Sequence, residues 1–263
     1  MVSTPIGNLG DMTLRALDVL AWVDAVACED TRRTGLLLGH FGVKARLVSY
    51  HEYNKLSRTP EVLEMIVQGK RVALVTDAGT PGISDPGFYL IRAAIEKGLR
   101  VVAVPGASAI LAALVVSGLP SDRFAFEGFL PKREGRRRKR LAGLKNEQRT
   151  MVFYESPRRL ARLLAEMREL WGERRVVVGR ELTKKFEEVV RGTLSDVLAR
   201  FADRELKGET VVVVAGAESG QDEQEKDGKE DESQTGHDSE QVEESRSETG
   251  ECLGSLTNCE GRE

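Results

Sequence analysis

Short apolar runs alternate with longer stretches in which apolar residues recur every three or four positions, and this continues to residue 217. Runs 25–28, 47–50, 71–75 and 100–104 read as strands. The near-continuous apolar character of 71–75 is that of a strand covered on both faces. Between them, residues 14–23 place Leu14, Leu17, Leu20 and Ala21 on one helical face, capped by Thr13. Residues 36–41 form a short helix. Thr59 and Pro60 open another, carrying Val62, Leu63, Ile66 and Val67, and Gly69 ends it. A helix over 88–97 has Asp85 as N-cap, Pro86 as first residue and Gly98 as stop. Ser108 caps an apolar helix that Gly118 and Pro120 end. Strand and helix in alternation predict a mostly parallel sheet with helices on its faces.

Past Pro120 the texture changes. Residues 124–130 alternate apolar with other residues, 151–154 and 175–179 are strands, and 210–215 is a closing strand. Between them lie an amphipathic helix over 158–171 and a shorter one over 194–201. We therefore expect two α/β domains, 1–106 and 107–217, the second more antiparallel, followed by a polar segment, 218–263.

Charge sharpens that last boundary. Residues 218–263 hold 16 Asp and Glu against 4 Lys and Arg, a charge of −12; with −3 for the whole chain, residues 1–217 carry +9. The acidic segment has too few apolar residues to offset the entropy of ordering, so we expect it to be disordered. Cys28, Cys252 and Cys259 make no disulfide framework and have no zinc-like partners, which suits a reducing compartment. No apolar run approaches 18 residues, and the start lacks a charged-then-apolar leader. The expected location is the cytoplasm, without a membrane span. His40 and His51 stand apart from any ligand-spaced set, so no metal is expected.

The candidate chemistry gathers at strand ends. Strand 71–75 runs into T-D-A-G-T-P-G-I-S-D-P-G, residues 76–87, before the next helix. In open α/β sheets ligands bind beyond the carboxyl ends of strands. Gly79 and Gly82 let a ligand approach the backbone, and Pro81 stiffens the turn. Other strands end in charged or small residues: E-D-T-R-R-T at 29–34, P-G-A-S-A at 105–109, F-Y-E-S-P-R-R at 153–159 and R-E-L-T-K at 180–184.

These segments, with T-P-I-G-N at 4–8 and G-F-L-P-K at 128–132, stand in an order that resembles the tetrapyrrole-methylase superfamily of S-adenosylmethionine-dependent methyltransferases. Within it the chain is similar to the RsmI group, which methylates a cytidine ribose 2′-hydroxyl in 16S RNA of the bacterial small ribosomal subunit. The resemblance spans residues 1–217. It implies a two-domain α/β, class III methyltransferase fold, with S-adenosylmethionine in the cleft between the domains, and a homodimer acting on ribosomal RNA or the small subunit. It places the cofactor against Ile6, Gly79, Thr80, Ile83, Ser108 and Ala109, with Glu155 and Leu182 completing the pocket. Only Met1 to Ser3 precede the first segment, so a first, central strand is expected to be short of ladder hydrogen bonds.

Methyl transfer to a hydroxyl depends on alignment, helped by a base that removes the proton. The strand-end candidates are Glu29, Asp30, Glu155 and Glu181, with Lys184 available if its pKa is depressed. Each acid has an ordinary alternative as a helix N-cap or an arginine's ion-pair partner. For RNA phosphates, the run 132–140 supplies Lys132, Arg133, Arg136, Arg137, Arg138, Lys139 and Arg140, with Arg32, Arg33, Arg158 and Arg159 extending the track. A solvated charged face is the plain alternative. Two other functions remain open: methylation of a corrin or siroheme precursor, and a non-catalytic RNA-binding scaffold that keeps the fold.

Overall fold

The computed structural model describes residues 1–202 and 204–217; the acidic segment 218–263, with Cys252 and Cys259, lies outside the described residues. Two sheets make up the architecture. In the first, β1 (Ala25–Cys28) lies between β2 (Leu47–Ser49) and β3 (Val72–Leu74), all parallel. All four β1 residues are buried, as a parallel strand with helices on both faces requires. Those helices are α1 (Leu14–Trp22), α2 (Thr31–His40), α3 (Lys55–Val67) and α4 (Gly87–Glu96). Thr13 caps α1 by accepting the Ala16 amide.

The strand expected at 100–104 does not form a ladder. Residues 1–3 run between β3 and this segment: Val2 donates to the Leu74 carbonyl (2.9 Å), while Ser3 donates to Val104 (3.1 Å) and Val104 to Met1 (2.8 Å). Val2 forms an isolated parallel bridge with Val104, and Thr4 then pairs antiparallel with Gly79.

Three helix starts also differ from expectation. α2 begins at Thr31, because the Asp30 carboxylate accepts the Arg32 amide (2.8 Å) and caps the helix directly at the strand end. α3 begins at Lys55 and contains Pro60. Beside that proline the Thr59 hydroxyl donates to the Lys55 carbonyl (2.7 Å) and takes the Tyr50 hydroxyl (3.0 Å) as donor. α4 starts one residue later than expected, with Pro86 at its N-cap.

The second sheet has the order β4-β5-β8-β6-β7. β4 (Phe124–Phe129) and β5 (Thr150–Glu155) are parallel; β6 (Arg175–Arg180), β7 (Glu188–Thr193) and β8 (Thr210–Val214) join antiparallel. β8, last in sequence, sits at the centre with all five residues buried. Its alternation divides the interior. Val212 and Val214 face a core with α6 (Glu134–Gly143), α7 (Pro157–Trp171) and α8 (Leu194–Phe201). Val211 and Val213 face Ile110, Ala113 and Leu114 of α5 (Ala109–Ser117). Ser108 holds the N-cap position of α5, but its side chain makes no capping bond.

The basic run 132–140 forms much of α6, and its residues divide by face. Arg137 is only 3% exposed. Its guanidinium makes two hydrogen bonds of 2.6 Å to buried Glu166 on α7 and a third to the Lys132 carbonyl. Arg138 pairs with Glu169, and Arg140 with Glu127. Arg137 is therefore a strut between helices and is withdrawn from any RNA-facing surface. Arg137, then Arg162, holds the Glu166 carboxyl below its ordinary value. The stabilisation from that carboxylate is thus complete above the ordinary carboxylate range and lost as pH falls below it.

Removing one partner leaves a buried, uncompensated charge, which costs about 3–5 kcal/mol. In urea unfolding, Arg137→Ala should lose that much stability near neutral pH, and exposed Arg136→Ala less than about 0.5 kcal/mol. Equal losses would show that Arg137 is not a strut.

Candidate active site

Because β1 and β3 are parallel, their carboxyl ends share one edge, where the chain emerges as Glu29 and as Thr76. In the second sheet, antiparallel pairing sets Thr210, the first residue of β8, opposite Glu155, the last of β5. Between these edges lies a cavity of about 380 Å³, within the range of ~300–1,000 Å³ usual for small-molecule sites.

Loop 76–87 forms one wall, and Asp85 shapes it. Its carboxylate accepts the amides of Gly82 (2.7 Å), Ile83 (3.2 Å) and Gly87 (2.7 Å). Gly79 has φ +87°, a conformation open to glycine and strained for other residues. A Cβ there would lie against Ile6 and the Ala107 carbonyl. Ser84 holds φ +62° at the loop's outer end, close to Gly128 of β4. Tyr154 closes the far wall, packed edge-on to Phe126 (5.0 Å), with its phenol pushed up to about 12 by burial.

Among the described residues five carboxylates line the cavity (Glu29, Asp77, Asp85, Glu155 and Glu209), and no Lys or Arg does. Four of them are engaged: Asp77 with Arg33, Asp85 with loop amides, Glu155 with Arg159, and Glu209 with Lys184. Glu29 makes no ion pair among the described residues and takes a hydrogen bond from the Thr76 hydroxyl. Its carboxyl is pushed up, mainly by burial and then by the charges of Asp77 and Asp85. Glu155 is 2% exposed, and its Oε2 has no partner among the described residues. Such a lining suits a cationic ligand that also donates hydrogen bonds, and S-adenosylmethionine, with its sulfonium and ammonium, is one.

Of the residues singled out in the sequence, Ile6, Gly79, Thr80, Ile83, Ser108, Ala109 and Glu155 all line this cavity. Leu182 does not; it is buried against Gly179 within the α5-side core. Asp30 is the cap of α2 and pairs with Arg32, and both contacts, side-chain first, lower its pKa to about 2. Glu181 lies outside the cavity lining and bonds Lys184 and the Glu209 amide; these contacts outweigh burial and lower its pKa. Lys184 sits between Glu181 and Glu209 (2.9 and 3.0 Å). Burial would lower its pKa, but the two carboxylates prevail and raise it, the reverse of what a lysine base needs. Arg159 is taken up by Glu155, while Arg158, Lys132, Arg133, Arg136 and Lys139 are exposed. Glu209 and Thr210 escaped notice in the sequence, because their place beside Glu155 follows from strand order alone. Among the described residues no His, Cys, Asp and Glu group is arranged to hold a metal ion, and no helix is long and apolar enough to cross a membrane.

Fold and site together define a two-sheet α/β protein with an acid-lined cavity between the Glu29 and Thr76 edge of the parallel sheet and the Glu155 and Thr210 edge of the mixed one. The model of the tetrapyrrole (corrin/porphyrin) methylases matches residues 1–198. The chain belongs to this family, whose methyl donor is S-adenosylmethionine. Among its relatives is the ribosomal RNA small subunit methyltransferase I of Mesorhizobium japonicum, 52% identical over 85% of this chain and 76% of the relative. The proteins of the same name from Synechocystis and Xylella fastidiosa are each 49% identical over 82% of this chain, and over 78% and 81% of their own lengths. The methyltransferase CobJ shares the fold, with a TM-score of 0.58 at 23% identity over 82% of this chain and 95% of its own. So does a uroporphyrin-III-C-methyltransferase from Thermus thermophilus, at 0.58 and 22% over 81% and 92%.

Asp85→Ala would release three amides and with them the loop wall. Calorimetry should show affinity for S-adenosylmethionine reduced at least about tenfold, equivalent to about 1.4 kcal/mol. Affinity at the wild-type level would mean that the loop does not shape the donor site.

Proposed function

We propose that this protein transfers the methyl group of S-adenosylmethionine to a ribose 2′-hydroxyl, that of a cytidine, in 16S RNA of the small ribosomal subunit. It does so in the cytoplasm as a homodimer, with domains meeting near residue 106. The observation that carries the reading is the acid-lined cavity with Glu29 at its edge, joined to 45–52% identity with proteins named for this ribosomal RNA activity. The corrin- and porphyrin-methylating neighbours are more distant, at 18–23% identity. Exposed Lys132, Arg133, Arg136, Lys139 and Arg158, in a body charged +9 through residue 217, suit a phosphate backbone. Leu111 and Val115, one turn apart on α5 and exposed, offer an apolar face for a second copy.

Ile6, Gly79, Thr80, Ile83, Ser108, Ala109 and Glu155 would hold the donor, which supplies an electrophilic methyl on a positively charged sulfur. The wall of loop 76–87 orients it, and Tyr154 and Phe129 line the far side. Glu29 is the base. Its carboxylate, held by the Thr76 hydroxyl, takes the proton of the acceptor hydroxyl. Asp30, Glu181 and Lys184 are engaged in capping and ion pairs instead.

The test is transfer of labelled methyl to small subunits that lack native ribose methylation, followed by nuclease mapping. Wild type should label one ribose 2′-oxygen, and no label in RNA would refute the reading. Because Glu29 must be ionised, the rate should rise with pH through a value above the ordinary carboxylate range. Glu29→Gln should lower kcat by about 10²–10⁴-fold, keep donor affinity and remove that acidic limb. An unchanged pH profile would exclude Glu29 as the base.

A further inference from the structure

A second cavity, about 240 Å³, adjoins the first, and Ile6, Thr76, Asp77, Ala78 and Glu209 line both. Its other walls differ in character. Pro5, Leu9 and Leu37 are apolar, while Arg33 and Lys184 bring the positive charge that the larger cavity lacks. Each cation faces a carboxylate of the shared wall: Arg33 faces Asp77 at 3.2 Å and Lys184 faces Glu209 at 3.0 Å. Donors and acceptors thus stand side by side between apolar walls, with the charges of these four groups cancelling. Lys184 spends two of its three N–H groups on Glu181 and Glu209, and Arg33 one of five on Asp77, so both retain donors.

Lys184 is held in place deliberately by the backbone. Its aliphatic stem crosses Gly7, whose φ is +151°, and a Cβ on that glycine would overlap the stem. Glu181 and Thr183 hold left-handed φ of +50° and +67°, an unusual conformation for residues other than glycine. Backbone strain of this kind gathers at binding sites.

The geometry points to the smaller cavity as the seat of the acceptor nucleobase, a pyrimidine read along its hydrogen-bonding edge. This rests on the RNA-methylation reading above. Asp77 and Glu209 accept from an exocyclic amino group, and Arg33 and Lys184 donate to the ring nitrogen and carbonyl oxygen. That pattern fits cytosine, and uracil reverses part of it. The attached ribose then lies at the shared wall, where Thr76 holds Glu29. A phosphate would meet Asp77 and Glu209 as closely as the two cations, and a lining of balanced charge gives it little advantage.

Leu37 lines the smaller cavity and not the larger, so Leu37→Trp fills one and spares the other. With small subunits as substrate, single-turnover methylation should fall at least tenfold while calorimetric affinity for S-adenosylmethionine is unchanged. Methylation at the wild-type rate would overturn the assignment. If Leu37→Trp does not fold, judged by its melting, Gly7→Ala displaces Lys184 and is read in the same way. Lys184→Met should narrow the preference for cytidine over uridine at the mapped acceptor position at least tenfold. Equal losses on both acceptors, with a shallower salt dependence, would make the cavity a phosphate seat and overturn the base assignment. A wild-type protein that methylates no RNA would overturn the parent reading as well, which separates the two failures.

Discussion

The carboxylate of Asp85 is the constraint on which the site depends. Loop 76–87 needs left-handed backbone at Gly79, Gly82 and Ser84, and such a loop is costly to hold. Three amides converging on one carboxylate hold it, and the same carboxylate ends at the first residue of α4. The other end is secured by Thr4, whose backbone exchanges two hydrogen bonds with Gly79 (2.9 and 3.1 Å). The loop is thus fastened both to the helix that follows it and to the N-terminal segment between β3 and Val104. Its outer end reaches Gly128, where an added Cβ would come within 3.3 Å of the Ser84 hydroxyl. A wall fastened at these points is preorganised, so little ordering remains to be done when a ligand arrives.

Charge is sorted around that wall. The larger cavity collects carboxylates, and the basic residues stand behind them: Arg33 behind Asp77, Arg159 behind Glu155, Lys184 behind Glu209. Among the described residues Glu29 alone of the five has neither a cation nor a set of loop amides to offset its burial and the charges of Asp77 and Asp85, and its pKa is raised. In the function proposed above, such a lining suits a cationic donor, and the exposed basic surface suits an anionic RNA backbone. On the proposed reading, the methyl group and the ribose hydroxyl would come together at the residues common to both cavities.

Much of this was legible in the chain, because it depends on local chemistry. The strands β1 to β3 stand out as apolar runs, and glycine, proline and aspartate mark the loop after β3. The order of the seven segments identified the family. What depends on long-range placement was not legible. β7 carries only Val189 and Val190 as large apolar residues, as befits an edge strand, and its pairing with β6 gives no local signal. The central place of β8, and hence the arrival of Glu209 and Thr210 at the site, is a matter of topology. In the run 132–140 the arginines look alike, yet helical periodicity turns Arg137 inward to Glu166 and leaves Arg136 and Lys139 outside. Lys184 shows the same limit, since its pKa is raised by Glu181 together with Glu209, the latter 25 residues away.

The most direct test of the account is a crystal structure of the protein with S-adenosylhomocysteine, the product of methyl donation. The account predicts density in the larger cavity, against Gly79, Thr80, Ile83, Ser108 and Glu155, with the smaller cavity still open to the acceptor. Density in the smaller cavity, or outside both, would contradict it.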